Sequence, residues 1–289
     1  MAAPAPLAFL DGAFLPLVDA RISPLDRGFL FGDAVYEVVP VFDSRAYRCT
    51  EHFDRLDRSL ALLGIPAPLS RAEWLAVCGR LVHGNGGGDF ALYAQVSRGA
   101  EYGRNHVPPP GLKPTVFAFV TPLAPRLSPD PGVDCVTSAD IRWHRCDIKS
   151  TNLLANVLLR RDAVERGGIE AILLRDGTVR EGSYSSVHVV RDGRLLTPPL
   201  DHELLPGTTR EVVLELAARA GIPSGIRPIR VDELARADEV LLGAATLLVR
   251  PVVRIDGRPV GDGRPGPVYR RIAALIDATR TELSTPLPG

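Results

Sequence analysis

Lysine is nearly missing from this 289-residue chain: only Lys113 and Lys149 occur, and 32 of the 34 basic residues are arginine. Arginine pairs with carboxylates and phosphates, but its guanidinium stays protonated and delocalised and forms no imine. Excess charge is missing too. Basic and acidic residues balance at 34 each, with a pI near 7.0. That excludes the electrostatic footprint of a general nucleic-acid binder or a polybasic membrane binder, while leaving room for local anion pockets. Cysteine is sparse. Cys49, Cys78, Cys135 and Cys146 form no CxxC pair and have no histidine at zinc-finger spacing, so we expect no structural metal. Four reduced thiols in a cytoplasmic protein is the plain reading. No run of about 18 apolar residues exists, so no membrane span is expected. Met1 to Leu17 is apolar but lacks a basic n-region, and Pro4, Pro6, Asp11 and Pro16 interrupt it; it reads as no signal peptide.

What is present is ordinary globular material, 45% hydrophobic and 24% charged. Asp11-Gly12 punctuates a hairpin over Leu7 to Leu17, and Asp43-Ser44 a second between Tyr36–Phe42 and Ala46–Cys49. Phe53, Leu56, Leu60 and Leu63 fall on one side of a helix starting near Glu51. Ser70-Arg71-Ala72-Glu73 is a capping box opening another helix, which Gly84-Asn85-Gly86-Gly87-Gly88 ends. Ala91 to Arg98 and Thr115 to Thr121 read as strands. The proline-rich stretch 122–132 reads as a linker. Beyond it we expect a strand from Val133, a helix over Thr151 to Arg166, a hairpin of Glu170–Arg175 with Thr178–Val190, a helix from Gly207 and a last helix over Val268 to Leu283. Sheet and helix mix without strict βαβ alternation, so the fold class is α+β. The domains are a smaller N-terminal α+β domain at 1–121 and a larger C-terminal α/β domain at 133–289.

The scarcity of lysine makes each lysine a question. Lys113 lies in a turn-like Pro110-Gly111-Leu112-Lys113-Pro114 stretch. Lys149 lies between a strand and an apolar helix, where a partly desolvated amine can act as a nucleophile. The ordinary reading of any single lysine is a solvated side chain. Enzymes that use pyridoxal phosphate through a lysine imine also need an acid at the pyridine nitrogen, donors for the phosphate and a grip on the substrate carboxylate. Glu181, after a hairpin strand, is a candidate for the first. Gly207-Thr208-Thr209-Arg210 offers a helix N-terminus for the second, although ordinary capping is the commoner meaning of such a pattern. Arg55 is a candidate cation. Arg104-Asn105-His106 and Tyr36 are candidates for the carboxylate. Each has an ordinary structural reading when taken alone.

Together, and in order, they resemble a family. Arg27-Gly28 with Phe31-Gly32-Asp33 and Val35-Tyr36-Glu37, His52-Phe53-Asp54-Arg55-Leu56, Ser97-Arg98-Gly99 with Arg104-Asn105-His106, Arg142-Trp143 with Arg145-Cys146-Asp147-Ile148-Lys149-Ser150 and Asn152-Leu153-Leu154, Glu170-Ala171-Ile172-Leu173 and Glu181-Gly182-Ser183 are similar to the fold type IV pyridoxal-phosphate aminotransferases. The closest resemblance is to the bacterial D-amino-acid aminotransferases. It implies a two-domain fold with the cofactor, pyridoxal 5'-phosphate, between the domains, the larger domain carrying most of its contacts. It implies ping-pong transamination of D-alanine- or D-glutamate-type amino acids with 2-oxo acids. Lys149 would form the Schiff base and move the substrate proton; Glu181 would pair with the pyridine nitrogen. Arg55, Thr209, Ser185 and backbone at Thr208 and Ala245 would hold the cofactor, with Leu205 packed against its ring. Tyr36, Arg104 and His106 would bind the substrate carboxylate, the last two from the neighbouring subunit of a homodimer.

The chain departs from the family where hydroxyl residues usually face the phosphate: it has Leu242-Gly243-Ala244-Ala245-Thr246 there, and Ala244 and Ala245 can donate only through backbone. Tyr184 and Ser186 also replace smaller or amide residues. Relatives of the same fold stay open as alternatives: a branched-chain L-aminotransferase, an (R)-amine transaminase or an aminodeoxychorismate lyase. So does a protein that binds the cofactor without turnover, or a globular domain in which Lys149 is structural.

Overall fold

A computed structural model describes residues 2–124 and 130–289. The middle of the expected linker, 125–129, lies outside the described residues. The chain divides into two compact units, Met1–Pro125 with Ile148–Asn152 and Thr281–Gly289, and Arg126–Asp147 with Leu153–Arg280.

The first unit contains β1 (Leu7–Leu10), β2 (Ala13–Pro16), α1 (Arg27–Phe31), β3 (Ala34–Phe42), β4 (Arg45–Tyr47), α2 (Cys49–Leu63), α3 (Arg71–Gly84), β5 (Phe90–Ser97) and β6 (Thr115–Pro122). Among the described residues its sheet has seven antiparallel strands, running from the C-terminal strand Ser284–Pro286 through β4, β3, β5, β6 and β1 to β2. Phe53, Leu56 and Leu60 of α2 and Trp74, Cys78 and Leu81 of α3 bury against Val39, Val41, Leu92 and Val96. The capping box at Ser70 forms, with Glu73 N–H on Ser70 Oγ and Ser70 N–H on Glu73 Oε2 at 2.7 Å.

Two segments beyond residue 133 belong to this first unit. Ser150 bridges Val35, Thr151 N–H donates to Ala34 O at 3.0 Å, and Ile148 joins the first unit's apolar core. Gly32 makes this docking possible: its φ is +69°, and a Cβ there would stand 2.2 Å from Asn152 Oδ1. This pairing delays the next helix to Leu154, where the sequence pattern puts it at Thr151. Pairing of Ser284 with Tyr47 likewise ends the last helix at Thr279, short of the Leu283 expected.

The second unit contains β7 (Val133–Ala139), α4 (Leu154–Glu165), β8 (Glu170–Arg175), β9 (Thr178–Gly182), β10 (Ser186–Arg191), β11 (Arg194–Thr197), α5 (Thr208–Arg219), β12 (Ser224–Ile226), α6 (Val231–Leu234), β13 (Glu239–Ala244), β14 (Leu248–Ile255), β15 (Arg258–Pro259) and α7 (Pro267–Thr279). Its mixed sheet runs β12-β11-β10-β13-β14-β7-β8-β9, with β15 on β14. The strand expected over Thr178–Val190 breaks at 183–185, because Glu170 captures that turn, as described below. Among the described residues no helix is long and apolar enough to cross a membrane.

Candidate active site

In the first unit the segment laid along β3 fixes Lys149. Tyr36 N–H donates to Lys149 O at 3.0 Å, and Lys149 N–H donates to Ser59 Oγ at 3.3 Å. The Lys149 Nζ lies 4.3 Å from the centre of the Tyr36 ring, and no carboxylate among the described residues pairs with it. Tyr36 in turn stacks on Tyr93. Lys113 sits exposed in its loop.

Next to Tyr36 in sequence, and on the other face of β3, Glu37 is fully buried and joins Arg55 and His52 of α2. Arg55 Nε donates to Glu37 Oε1 at 2.7 Å and Nη2 to Oε2 at 2.8 Å; His52 Nδ1 sits 2.8 Å from Oε2. Burial opposes ionisation of Glu37, but the bidentate Arg55 guanidinium and His52 outweigh it and hold the carboxyl well below the usual range. Burial pushes His52 down, so its neutral ring donates Nδ1–H to the carboxylate. Arg55, expected as a phosphate ligand, is therefore held in a fixed orientation by two neighbours. Sequence reasoning gave Glu37 and His52 no role, although both stand inside the matched motifs.

Arg104 and His106 lie in an exposed loop of the same unit, packed on Phe31: the Arg104 guanidinium is 5.0 Å and the His106 ring 5.5 Å from its ring centre. Buried Arg27 pins this loop, donating to Asn105 O at 2.6 Å, His106 O at 3.0 Å and Glu101 at 2.7 Å. These contacts join Arg104 and His106 to each other, not to Tyr36 or Lys149.

In the second unit Glu181 is the penultimate residue of β9, 5% exposed. Arg142 Nη1 lies 2.5 Å from Glu181 Oε1, and Leu205 N–H donates to the carboxylate at 3.3 Å. Asp140 grips the rest of the guanidinium through Nε and Nη2, both at 2.9 Å. Burial pushes the Glu181 carboxyl up, and the Arg142 charge offsets part of that. Leu205, expected to pack on a cofactor ring, thus also helps hold Glu181 through its backbone.

Glu170 explains the break after β9. Its buried carboxylate accepts from Ser183 N–H at 3.0 Å, Ser183 Oγ–H at 2.5 Å, Ser185 Oγ–H at 2.8 Å and Ala171 N–H at 2.9 Å. Burial raises its pKa while these bonds counter the rise. The only hydroxyl donor of Ser185 is therefore committed to Glu170, so Ser185 shapes the turn beside Glu181. Tyr184 packs its ring under Arg160.

Gly207 is the N-cap of α5, no side chain among the described residues caps that helix, and Thr208 and Thr209 in its first turn are both buried. Ala245 stands in the turn after β13. Within the second unit, the start of α5 suits a phosphate and the buried Glu181 carboxylate a pyridine nitrogen; within the first, the Lys149 amine suits a carbonyl carbon. His144, His202 and Glu203 also bring ligand atoms within 4.8 Å of one another, but Arg175 already pairs with Glu203, so a cation occupies that carboxylate.

Residues 34–255 match the model of a family described as amino-transferase class IV. The chain is 38% identical over 265 residues to a D-alanine aminotransferase of Staphylococcus aureus, covering 91% of this chain and 94% of that one. In structure it is similar to a branched-chain amino acid aminotransferase from Escherichia coli, with TM-score 0.88, 27% identity and coverage of 99% and 97%. The PLP-bound form of a hypothetical aminotransferase from Mycobacterium tuberculosis gives TM-score 0.83 at 27% identity, covering 96% and 99%.

Proposed function

Since the chain belongs to the class IV aminotransferase family, we propose that it moves amino groups between D-amino acids and 2-oxo acids with pyridoxal 5'-phosphate, and that Lys149 carries the reaction. The carrying observation is the Lys149 amine, held over Tyr36 with no carboxylate among the described residues paired to it. An amine that no carboxylate engages leaves its nitrogen available to a carbonyl carbon.

When bound, pyridoxal phosphate supplies an electron sink for the pair left when the amino acid's Cα–H ionises. Lys149 Nζ takes the Cα proton and returns it. Glu181, fixed by Arg142 and Leu205, holds a proton on the pyridine nitrogen. The first turn of α5, with Thr209 and the backbone of Thr208, would hold the phosphate, with the backbone N–H at Ala245 as a further donor. Arg55, oriented by Glu37, would add a cation, and Leu205 would pack against the ring. Ser185 acts through Glu170 in positioning the turn.

Tyr36, Arg104 and His106 bind the substrate carboxylate. The exposed loop carrying Arg104 and His106 suits delivery to a second copy, so the working form is a homodimer. Leu154, Val157 and Leu158 support that form: they lie on one side of α4 at helical spacing and are 73%, 59% and 38% exposed, an apolar stripe a partner would cover. Its setting is cytoplasmic, where the four buried thiols would stay reduced.

A second reading, an L-specific branched-chain aminotransferase, is favoured by the structural similarity at TM-score 0.88. Greater identity to the D-alanine enzyme, 38% against 27%, ranks the D reading ahead. The test is amino transfer to 2-oxoglutarate from D-alanine, L-leucine and an (R)-amine in parallel. Turnover with D-alanine alone is the expected result; turnover with L-leucine alone would establish the second reading.

A further inference from the structure

His188 lies in the middle of β10, in Ser186-Val187-His188-Val189-Val190, and is 0% exposed. Val187 and Val189 turn to the apolar core. Ser186 and His188 point to the opposite face by strand alternation, where Gly243 of β13 stands across from Ser186. That face lies under the start of α5: a Cβ on Gly207 would come 2.5 Å from Ser186 Oγ. A Cβ on Gly243 would come 3.3 Å from Thr209 Cγ2 and 3.6 Å from His188 Nε2. Gly243 therefore leaves no side chain between the imidazole and the first turn of α5.

Neither ring nitrogen of His188 has a hydrogen-bond partner among the described residues. A neutral imidazole offers one donor and one acceptor, and burying both unmet opposes folding. Its protonation is no remedy, since burial and then the charge of Arg210 push it down to about 3. Arg210, 4% exposed in the same first turn, has a similar defect. Its Nη2 donates to Pro198 O at 3.0 Å, its Nε has no partner, and no carboxylate among the described residues forms an ion pair with it. A buried guanidinium at the positive end of a helix is electrostatically the wrong residue unless an anion is there too.

We propose that His188 is a binding residue of the phosphate site: with Arg210 it forms a polar, electropositive floor beneath Thr209 and Gly243 that a phosphate dianion completes. The inference rests on the reading that the α5 start takes the cofactor's phosphate, and it adds residues from behind the helix turn that do not belong to the matched motifs. The imidazole donates its N–H toward the phosphate, directly or through one bridging water. Ala244 and Ala245 offer no side-chain donor at the end of the neighbouring strand, so the hidden donor matters more here.

The test uses the full chain freed of cofactor, as wild type, His188→Phe and His188→Gln. Each is melted alone, then titrated with pyridoxal 5'-phosphate and with unphosphorylated pyridoxal. His188→Phe should melt at a higher temperature alone, because the unmet polar atoms are gone. It should bind the phosphorylated ligand about ten-fold more weakly, while pyridoxal binding stays unchanged. His188→Gln, which keeps a donor, should recover part of the loss. Unchanged affinity of His188→Phe for the phosphorylated ligand, or equal losses for both ligands, would overturn the proposal. If wild type itself shows no preference for the phosphorylated ligand, the functional reading fails first. Should His188→Phe not fold, ¹⁵N-histidine spectra of wild type, assigned with His188→Gln, decide the matter: the His188 signals must move on adding inorganic phosphate, and signals that stay put sink the idea.

Discussion

The first unit buries Glu37, His52 and Arg55 as a charge-balanced group in which a carboxylate meets two partners at 2.7–2.8 Å. The second unit buries Arg210 and His188 with no carboxylate among the described residues paired to either. The same contrast recurs within each unit, since Lys149 has no carboxylate partner among the described residues near the closed group of Glu37, and Glu181 is held by Arg142, which Asp140 grips in turn. Closed networks fix geometry, because breaking one leaves an unpaired buried charge. Open groups carry a standing cost to folding that a ligand can remove. The contrast thus separates residues whose geometry is fixed before a ligand arrives from residues that a ligand must complete.

Substitution at an open group should harm function more than stability, and at a closed one the reverse. Lys149→Ala gives the largest effect: amino transfer should fall by roughly 10³-fold or more, with little change in urea midpoint. A parallel loss of stability would mean Lys149 is structural. Glu37→Ala strands Arg55 and should destabilise the fold by about 3–5 kcal/mol in urea unfolding. A change within about 0.5 kcal/mol would deny that the group is closed.

Arg104→Ala should weaken D-alanine binding by about 1.5–3 kcal/mol, roughly ten- to hundred-fold, and leave a carboxylate-free (R)-amine nearly untouched. Equal losses would make the loop a mere support. The smallest effect is on pH dependence. The folded pKa of His188 is depressed to about 3, so its stabilising contribution is full above the unfolded value and is lost as pH falls from there toward 3. With an unfolded pKa of about 6.5, one unit lower at pH 5.5 it should have lost about 1.4 kcal/mol. Cofactor-free His188→Phe should be less acid-sensitive than wild type between pH 7 and 5.5; identical slopes would argue against a buried neutral histidine.

Local rules made much of the fold legible. The capping box at Ser70, the Asp11-Gly12 hairpin and the Phe53–Leu60 spacing each encode structure within a few residues. Scarcity draws attention to both lysines, and the setting and the motif single out Lys149. What could not be read were pairings across long stretches of chain. Nothing near Ile148 announces that it leaves its neighbours to lie along β3, so the α4 start was placed too early. Glu170 looks like a strand residue until Ser183 and Ser185, more than a dozen positions on, close around it. His188 sits in a run of valines, and its setting shows only when β13 and α5 are in place. The motif marks Arg55 as a candidate cation but does not show its pairing with Glu37, because strand-to-helix pairing is invisible in a local pattern.

The central claim, that Lys149 carries the chemistry, has one direct measurement. Borohydride reduction of the cofactor-loaded protein fixes pyridoxal to the lysine that bears it, and peptide mass mapping then finds the label. With two lysines in the chain the outcome is binary. The account requires a single labelled peptide containing Lys149; label on Lys113, or no label at all on protein that has bound the cofactor, would contradict it.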